Sequence, residues 1–450
     1  MNRRRLLQQL SAMPLLASLE TVLPSRGVAQ AARSQTRARP NEHGWPDEAS
    51  WEQLGRDVEG RLLKVQSPLA ACAQAPASFS KRYGLAAASL LEAEIVTADG
   101  TLRIANACTN PDLLWGLKGG GGGSLGVVTR LTLRTHDLPE FFGVTNMVVK
   151  AASDAAFRRL IGQLIRFYSE ALFNPHWGEQ ISFRPGNVLV VAMVFQSLSQ
   201  TQAESTWRPF LDWIAASPQE FTLISSPTIL SVPARQFWDP EVLSKVPGLV
   251  VSDTRPGSPA SNIFYANNVG EAGQVLHGYQ SAWLPATLLQ PEHQQRLADA
   301  LFAASRHWSV TLHMNKGLAG APAEAIAGAR DTTTNPLVLE AFALLISAAQ
   351  GPPTYPGIAG REPDLPAARR HAGAISKAMA KIERVLPVRG AYVAESDFFD
   401  ANWRESYWGA SYTRLLAIKD KYDPEGLFVV HHGVGSERWS ADGFTRLPTP

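Results

Sequence analysis

The sequence predicts an α+β fold, with helices layered over a sheet. Three observations lead there. Amphipathic helical stretches and short strands rich in β-branched residues are interspersed from Pro139 onward. Clusters of Gly and Pro fall between these elements, at Asp253–Pro259 and Gly351–Pro366, where they read as loops. With 45% hydrophobic residues in a chain of 450, there is apolar material for a large core divided between two domains.

At the start, Arg3-Arg4-Arg5 precedes the uncharged run Leu6–Leu19, and Ala29-Gln30-Ala31 follows as a small-residue cleavage site, so residues 1–31 read as an export signal. The run is shorter than the roughly 20 apolar residues that cross a bilayer, which argues against a membrane anchor. Arginines followed by leucines fit a twin-arginine signal, and an ordinary secretory signal is the alternative. Either places the mature chain in the periplasm or outside the cell. Net charge is +2, but Arg3, Arg4, Arg5 and Arg26 against Glu20 supply +3 of it, leaving −1 for the rest. No basic patch with interleaved aromatics is visible, so nucleic acid is not an expected partner. Cys72 and Cys108 allow at most one disulfide, and the fold must rest on hydrophobic burial.

Residues 32–78 read as an arm: Arg33–Asn41 is polar, Ser67–Ser78 is rich in Ala, Pro and Ser, and only Trp51–Val65 has helical spacing. From Leu91 the pattern alternates through Val96, turns at Asp99-Gly100 and resumes over Thr101–Ala105, a hairpin signal. Asn110-Pro111-Asp112 is expected to cap a short helix, Leu113–Lys118. Five glycines, Gly119, Gly120, Gly121, Gly122 and Gly123, join it to a strand over Leu125–Thr135. Further on, helices are expected at Ser153–Leu172, Thr201–Ala216, Pro291–Arg306 and Asp364–Leu386, and strands at Asn187–Phe195 and Trp308–Asn315.

The glycine run carries the most chemistry. Consecutive glycines let backbone amides approach a ligand without Cβ interference and present N–H donors to an anion such as a pyrophosphate. The alternative is a flexible linker. A nicotinamide-binding fingerprint follows a strand and opens a helix, whereas this run follows a helix and opens a strand. The Walker pattern fails as well, because no Lys-Ser or Lys-Thr follows the glycines.

The flanks of the run give it context. Phe79-Ser80-Lys81-Arg82-Tyr83-Gly84-Leu85-Ala86-Ala87, Leu90–Gly100, and Asn110–Trp115 with the glycines resemble, as one string over residues 79–136, the second half of the flavin domain of berberine-bridge-enzyme-like oxidoreductases. These belong to the wider vanillyl-alcohol-oxidase or p-cresol-methylhydroxylase group. A second string, Tyr407–Leu415 and Lys419–Phe428, is similar to that family's C-terminal signature, with Ser411 where Asn is usual.

The resemblance implies a partial two-lobe flavin-binding domain (second lobe at 79–140, C-terminal return at 386–450) and an α+β substrate domain at 141–385, an antiparallel sheet covered by helices. It implies FAD as cofactor, with Ser80, Gly84, Val96, Gly119–Gly123, Gly126, Val127 and Tyr412 toward it. Tyr392-Val393-Ala394-Glu395-Ser396-Asp397 corresponds to a strand facing the flavin, where Glu395 or Tyr392 would act as base. Packing for Tyr392 and a solvent or arginine contact for Glu395 are the alternatives. Asn315-Lys316 and His431-His432 are further candidates at strand ends; adjacent His on a strand face opposite ways, so no metal site is expected there. Asp423-Pro424 is expected to end a helix before a strand.

The family's first lobe, with the Gly-Gly-His segment whose His is commonly bonded to flavin, has no counterpart in residues 32–78, so FAD is expected to be held non-covalently. The expected function is oxidation of a C–OH, or a C–N, bond of a small carbohydrate-like or secondary-metabolite substrate by hydride transfer to flavin. The alternative is a non-catalytic family member that holds FAD poorly and acts at most as a binding module.

Overall fold

The computed structural model describes residues 77–448, apart from 238, 246, 247, 260, 270, 272 and 356, together with 47, 49, 50, 53 and 56. The segment expected as an export signal and nearly all of the expected arm, Cys72 included, lie outside the described residues. Two compact units divide the chain: Leu90–Arg134 with Ala410–Pro450, and Pro76–Ser89 with Thr135–Gly409. Residues 79–89, 135–140 and 386–409, expected with the flavin lobe or the C-terminal return, therefore belong to the second unit. Among the described residues no helix is long and apolar enough to cross a membrane.

In the first unit, β1 (Leu90–Val96) pairs antiparallel with β2 (Leu102–Asn106) and with β3 (Val127–Leu133), in the order β2-β1-β3. The hairpin turn is fixed by Asp99, whose carboxylate accepts from Thr97 Oγ1 at 2.7 Å and Thr101 N at 3.1 Å. Helix α1 (Pro111–Leu117) follows. Asn110 does not cap it with its side chain: its backbone is left-handed (φ 48°), and its amide instead donates to Ile104 O at 2.8 Å. Proline at the first helical position sets the helix start, since its missing N–H costs nothing there.

The second unit is built on an eight-stranded antiparallel sheet. Its strands are β4 (Phe141–Ala151), β5 (Trp177–Arg184), β6 (Val188–Gln196), β7 (Phe221–Leu223), β8 (Thr228–Pro233), β11 (Gln274–Pro285), β12 (Val310–Met314) and β13 (Ala341–Pro353). Their order is β11-β13-β12-β5-β6-β4-β7, with β8 also paired to β4. A separate two-stranded ribbon joins β9 (Val250–Ser252) to β10 (Ile263–Tyr265).

Helices α2 (Asp154–Phe167), α3 (Gln200–Ala215), α4 (Pro291–Ser305) and α5 (Leu365–Glu383) bury their apolar stripes in one cluster with the sheet. Each forms where the sequence spacing predicts; Ser153, Ser199 and Asp364 accept the first free N–H groups of α2, α3 and α5, and α4 opens on Pro291, which has no N–H to satisfy. On the sheet's other face a smaller cluster gathers Leu85, Trp283, Leu318, Val338, Leu344 and Ile346, with Tyr279 and Tyr392 packed against it.

Strand β13 divides its side chains between the two clusters, Ala343 and Leu345 to one, Leu344 and Ile346 to the other. Both faces being apolar, Ala341–Ile346 shows no alternation, and the sequence gives no period from which to predict it. The strand runs on to Pro353, so Gly351–Pro353 is strand and the loop begins after it.

Candidate active site

In the first unit the glycine loop meets the C-terminal segment. Lys419, on the helix Tyr412–Tyr422, sends its ammonium to Ser124 O (2.7 Å), Phe428 O (2.6 Å) and the Asp423 carboxylate (2.5 Å). The pair is buried, with side chains 4% and 0% exposed. Asp423 also accepts from Leu427 N and Phe428 N, so it turns the chain after the helix. No strand follows, in contrast to the expectation for Asp423-Pro424: Gly426 N donates to Asp423 O at 3.1 Å to close a turn, and Leu427 N and Phe428 N are held by the Asp423 carboxylate.

The five glycines have two different physical reasons. A Cβ at Gly120 would lie 2.2 Å from Gly116 O, and one at Gly123 would lie 2.6 Å from Val430 Cγ1, so packing against the loop's own start and the C-terminal segment demands both. Gly119, Gly121 and Gly123 have φ of 103°, 80° and 75°, alternating with residues of ordinary φ, and Gly121–Gly123 are exposed. Backbone N–H groups in such an alternation converge on one side and form an anion-binding concavity. A concavity of this kind would suit a diphosphate, with Gly121, Gly122 and Gly123 as its exposed residues; Gly119 N is already bonded to Leu117 O at 2.9 Å. Gly126 has a φ of 155°, which residues with a side chain rarely adopt, and a Cβ there would lie 2.5 Å from Val96 O. Val127 is exposed on β3. Tyr412 is engaged inside the unit: its hydroxyl donates to Glu437 at 2.6 Å and accepts from Gly435 N at 3.1 Å. His431 and His432 are not on a strand; His432 has φ 55°, and the two rings stack at 3.8 Å on one side, not on opposite faces.

Ser80 and Gly84 lie in the second unit. The short helix Ser80–Tyr83 is anchored there by Lys81, whose amine donates to Ala319 O and lies 3.2 Å from the Phe173 ring centroid. Tyr83 donates to Gln196 Oε1 at 2.8 Å. Burial without a carboxylate partner pulls Lys81 down from 10.5 to about 7. The segment reads in the sequence as part of the flavin lobe because its string is contiguous with β1.

Glu395 and Tyr392 also lie in the second unit, on a turn and not on a strand: Glu395 N donates to Tyr392 O at 2.9 Å, and the two residues bridge each other. The turn is fixed to β11, where Trp283 N donates to Gly390 O (3.0 Å) and Gln280 Nε2 to Asp397 Oδ2 (2.8 Å). Glu395 accepts from the Lys316 ammonium at 2.6 Å, and the two side chains are 23% and 14% exposed. Lys316 Nζ is also 5.3 Å from the Tyr392 ring. Burial, and then the Glu395 carboxylate, push the Tyr279 phenol above its usual range, so it remains a protonated neighbour of Glu395.

Asn315 turns Lys316 out of strand β12. Its backbone is left-handed (φ 55°), and its buried amide receives Tyr168 Oη (2.7 Å) and donates to Leu172 O and Trp177 O. Asn315 is therefore scaffold, and Lys316 is the site residue of that pair.

Two further groups were not legible as site residues. Along β5, Trp177, Ile181 and Phe183 point into the helix-covered core, and alternation would send Glu179 there too. Its left-handed backbone (φ 70°) instead turns the carboxylate away, to Ser78 Oγ and to His313 Nδ1 at 3.6 Å. Burial pushes Glu179 up, but the His313 and Ser78 contacts and the charges of His313 and Lys316 outweigh it, holding the carboxylate below its ordinary value. A lone carboxylate at an inward position of a strand is the one signal by which sequence reasoning could have found it.

Comparison with known proteins points to the same family as the sequence strings. Residues 391–435, which include Glu395 and Tyr412, match the family "Berberine and berberine like". The FAD-linked oxidoreductase penH of Penicillium thymicola is 29% identical over 378 residues, covering 83% of this chain and 58% of its own length. The VAO-type flavoprotein oxidase VAO615 of Thermothelomyces thermophilus is 26% identical, covering 82% and 58%. The chain thus spans less than three fifths of the length of these curated relatives. Among solved structures, the VAO-type flavoprotein MtVAO615 of Myceliophthora thermophila superposes with a TM-score of 0.60 at 23% identity, over 82% of this chain and 61% of that one. A carbohydrate oxidase of Microdochium nivale, solved with a substrate analogue, superposes with a TM-score of 0.54 at 19% identity, over 80% and 68%. The chain is thus similar in sequence to berberine-bridge-like FAD-linked oxidoreductases, and its fold is similar to that of a VAO-type flavoprotein.

Proposed function

We propose that the chain is an FAD-dependent oxidoreductase that oxidises a C–OH bond, or a C–N bond, of a small carbohydrate-like or secondary-metabolite substrate. The observation that carries this reading is the Glu395 carboxylate, held by Lys316 and flanked by Tyr279 on a turn inside the berberine-like segment. FAD, when bound, supplies the hydride acceptor. Glu395 accepts the proton of the substrate hydroxyl at Oε1 or Oε2, while Lys316 and Tyr279 orient it by their positive charge and their phenol. Tyr392 packs beside Lys316 and supports the turn. Gly121, Gly122 and Gly123 offer backbone donors to the cofactor's diphosphate, which is held without a covalent bond. The arginine cluster and the run Leu6–Leu19 support export of the mature chain.

The test is stopped-flow flavin reduction in FAD-loaded protein over a panel of sugars and alcohols. Loss of a general base lowers such a step by about 10²–10⁴-fold, so Glu395→Gln is expected to slow reduction by at least about 10² at unchanged flavin content. Reduction at the wild-type rate removes Glu395 from the role. A second reading, a binding module without turnover, is favoured by strand β3, which leaves Val127, Leu131 and Leu133 about half exposed (55%, 47% and 54%) in a chain spanning 58% of its relatives' length. Protein that takes up no FAD would support that reading instead.

A further inference from the structure

We infer that His277 and His371, which the proposed reaction does not use, form a binding site in the second unit for a divalent transition-metal ion of tetragonal geometry, Cu²⁺ above all. The two are 94 residues apart in the chain, and the fold brings His277 Nδ1 within 2.9 Å of His371 Nδ1, with ring centroids 5.0 Å apart. Strand β11 delivers the first ring. Its ladder with β13 slips between Leu276 and Gly278, leaving His277 as an extra residue without a register partner, and a bulge of this kind re-aims the side chain it carries. Helix α5 delivers the second. It lies directly on the bulge, since a Cβ at Gly278 would be 3.0 Å from Ile375 Cδ1 and 3.4 Å from Ala372 Cα.

Both rings are held by packing before any ion arrives. A Cβ at Gly351 would lie 2.6 Å from His277 Nε2, so that end of the ring rests on bare backbone of β13 while Nδ1 faces His371. The His371 ring packs against Trp308 with 4.8 Å between centroids, and Trp308 is itself fixed by Nε1 donating to Ala348 O at 2.9 Å. Ligands fixed in this way lose little freedom on binding. Both histidines are half-buried, so water and ions reach the pair.

The separation selects the ion. With metal–nitrogen bonds of about 2.0–2.1 Å, cis ligands of a square-planar or octahedral ion lie about 2.9 Å apart, and ligands of a tetrahedral ion about 3.4 Å. At 2.9 Å the rings have to tilt toward a common ion but not to part. Two imidazoles in that arrangement favour Cu²⁺, then Ni²⁺, over Zn²⁺. In the metal-free pair one Nδ1 carries a proton that the other accepts; that imidazole moves its proton to Nε2, and two neutral rings ligate. Among the described residues no group of three or more His, Cys, Asp or Glu is placed to hold a metal, so water completes the coordination and the ion ties α5 to β11.

The test is calorimetric titration of the untagged full chain with CuCl₂, NiCl₂ and ZnCl₂, for wild type, His277→Gln and His371→Gln. Wild type is expected to bind one Cu²⁺ that both variants bind at least about tenfold more weakly, and to bind Zn²⁺ there at least about tenfold more weakly than Cu²⁺. Because the ion binds the folded chain, Cu²⁺ is expected to raise the urea midpoint of wild type and to leave that of the variants unchanged, a measurement that also shows whether the variants fold. Electron paramagnetic resonance of the wild-type Cu²⁺ complex depends on no variant and is expected to show two imidazole nitrogens. Folded variants that bind Cu²⁺ as tightly as wild type, a spectrum with fewer than two such nitrogens, or Zn²⁺ held as tightly as Cu²⁺ overturns the proposal.

Discussion

Lys81 offers a stability measurement whose sign and pH window follow from its surroundings. It is 1% exposed, with one carbonyl acceptor and an aromatic face for company, and its amine titrates near 7 in the folded chain. In the unfolded chain it keeps its proton up to the ordinary 10.5. Between those values the unfolded state binds more protons, so stability rises with pH. The contribution is complete above 10.5 and is lost as pH falls through about 7. The interval from about 7 to 10.5 corresponds to roughly 5 kcal/mol at about 1.4 kcal/mol per tenfold. Between pH about 7 and about 9 the linkage amounts to roughly 2 kcal/mol, because Lys81 is already half deprotonated at the start.

Lys81→Met removes the charge, keeps an unbranched apolar chain against Phe173, and forgoes one hydrogen bond worth about 1 kcal/mol. It is expected to stabilise the second unit at pH about 7 by roughly 2–4 kcal/mol, and that advantage is expected to shrink by roughly 2 kcal/mol at pH about 9. Urea unfolding at both pH values, followed by tryptophan fluorescence, measures the difference; Trp177 and Trp207, at 1% and 0% exposure, report on this unit. A difference independent of pH would refute the reasoning, since the ammonium would then not be desolvated by folding.

Two further substitutions probe the scaffold. Lys419→Met leaves the Asp423 carboxylate buried without its cation and is expected to cost the first unit about 3–5 kcal/mol in urea unfolding; a loss under about 1 kcal/mol would mean that the backbone donors of Leu427 and Phe428 suffice. Asn315→Ala strands the hydroxyl of Tyr168 and the carbonyls of Leu172 and Trp177, and is expected to cost the second unit at least about 3 kcal/mol, about 1–3 for each of the three groups left unsatisfied. Near-neutral unfolding of Asn315→Ala would show that neither its amide nor its left-handed turn carries stability, because Ala tolerates that backbone less well than Asn.

The elements legible in the sequence are those with one wet face. Helix α2 shows Phe157, Leu160, Ile161, Leu164 and Ile165 at helical spacing because its opposite side faces solvent, and all five are buried as that spacing predicts. Strand β13 hides because Ala341–Ile346 is covered on both faces. The hairpin β1–β2 was legible from Asp99-Gly100, a turn signal with its own mechanism. The site was legible in part. Glu395 and Lys316 were both named, but 79 residues separate them, and nothing in either neighbourhood announces the pairing. Glu179 and His313 were missed because their roles depend on one positive φ and on strand register, which composition does not encode. The segment Ser80–Gly84 groups with the second unit and not with β1, since a contiguous string says nothing about which sheet its buried lysine is anchored on.

The central claim is that the exposed loop Gly121–Gly123, with its left-handed residues Gly121 and Gly123, holds the diphosphate of FAD, and titration of the purified chain with FAD, followed by flavin absorbance and fluorescence, tests it most directly. Gly121→Asp is the companion variant, because Asp tolerates a left-handed backbone while placing a negative charge where the diphosphate would lie. The account predicts one FAD bound per wild-type chain and at least about tenfold weaker binding by Gly121→Asp, a repulsion of about 1.4 kcal/mol or more. A wild-type chain that stays colourless in excess FAD, or a Gly121→Asp chain that binds FAD as tightly as wild type, would contradict it.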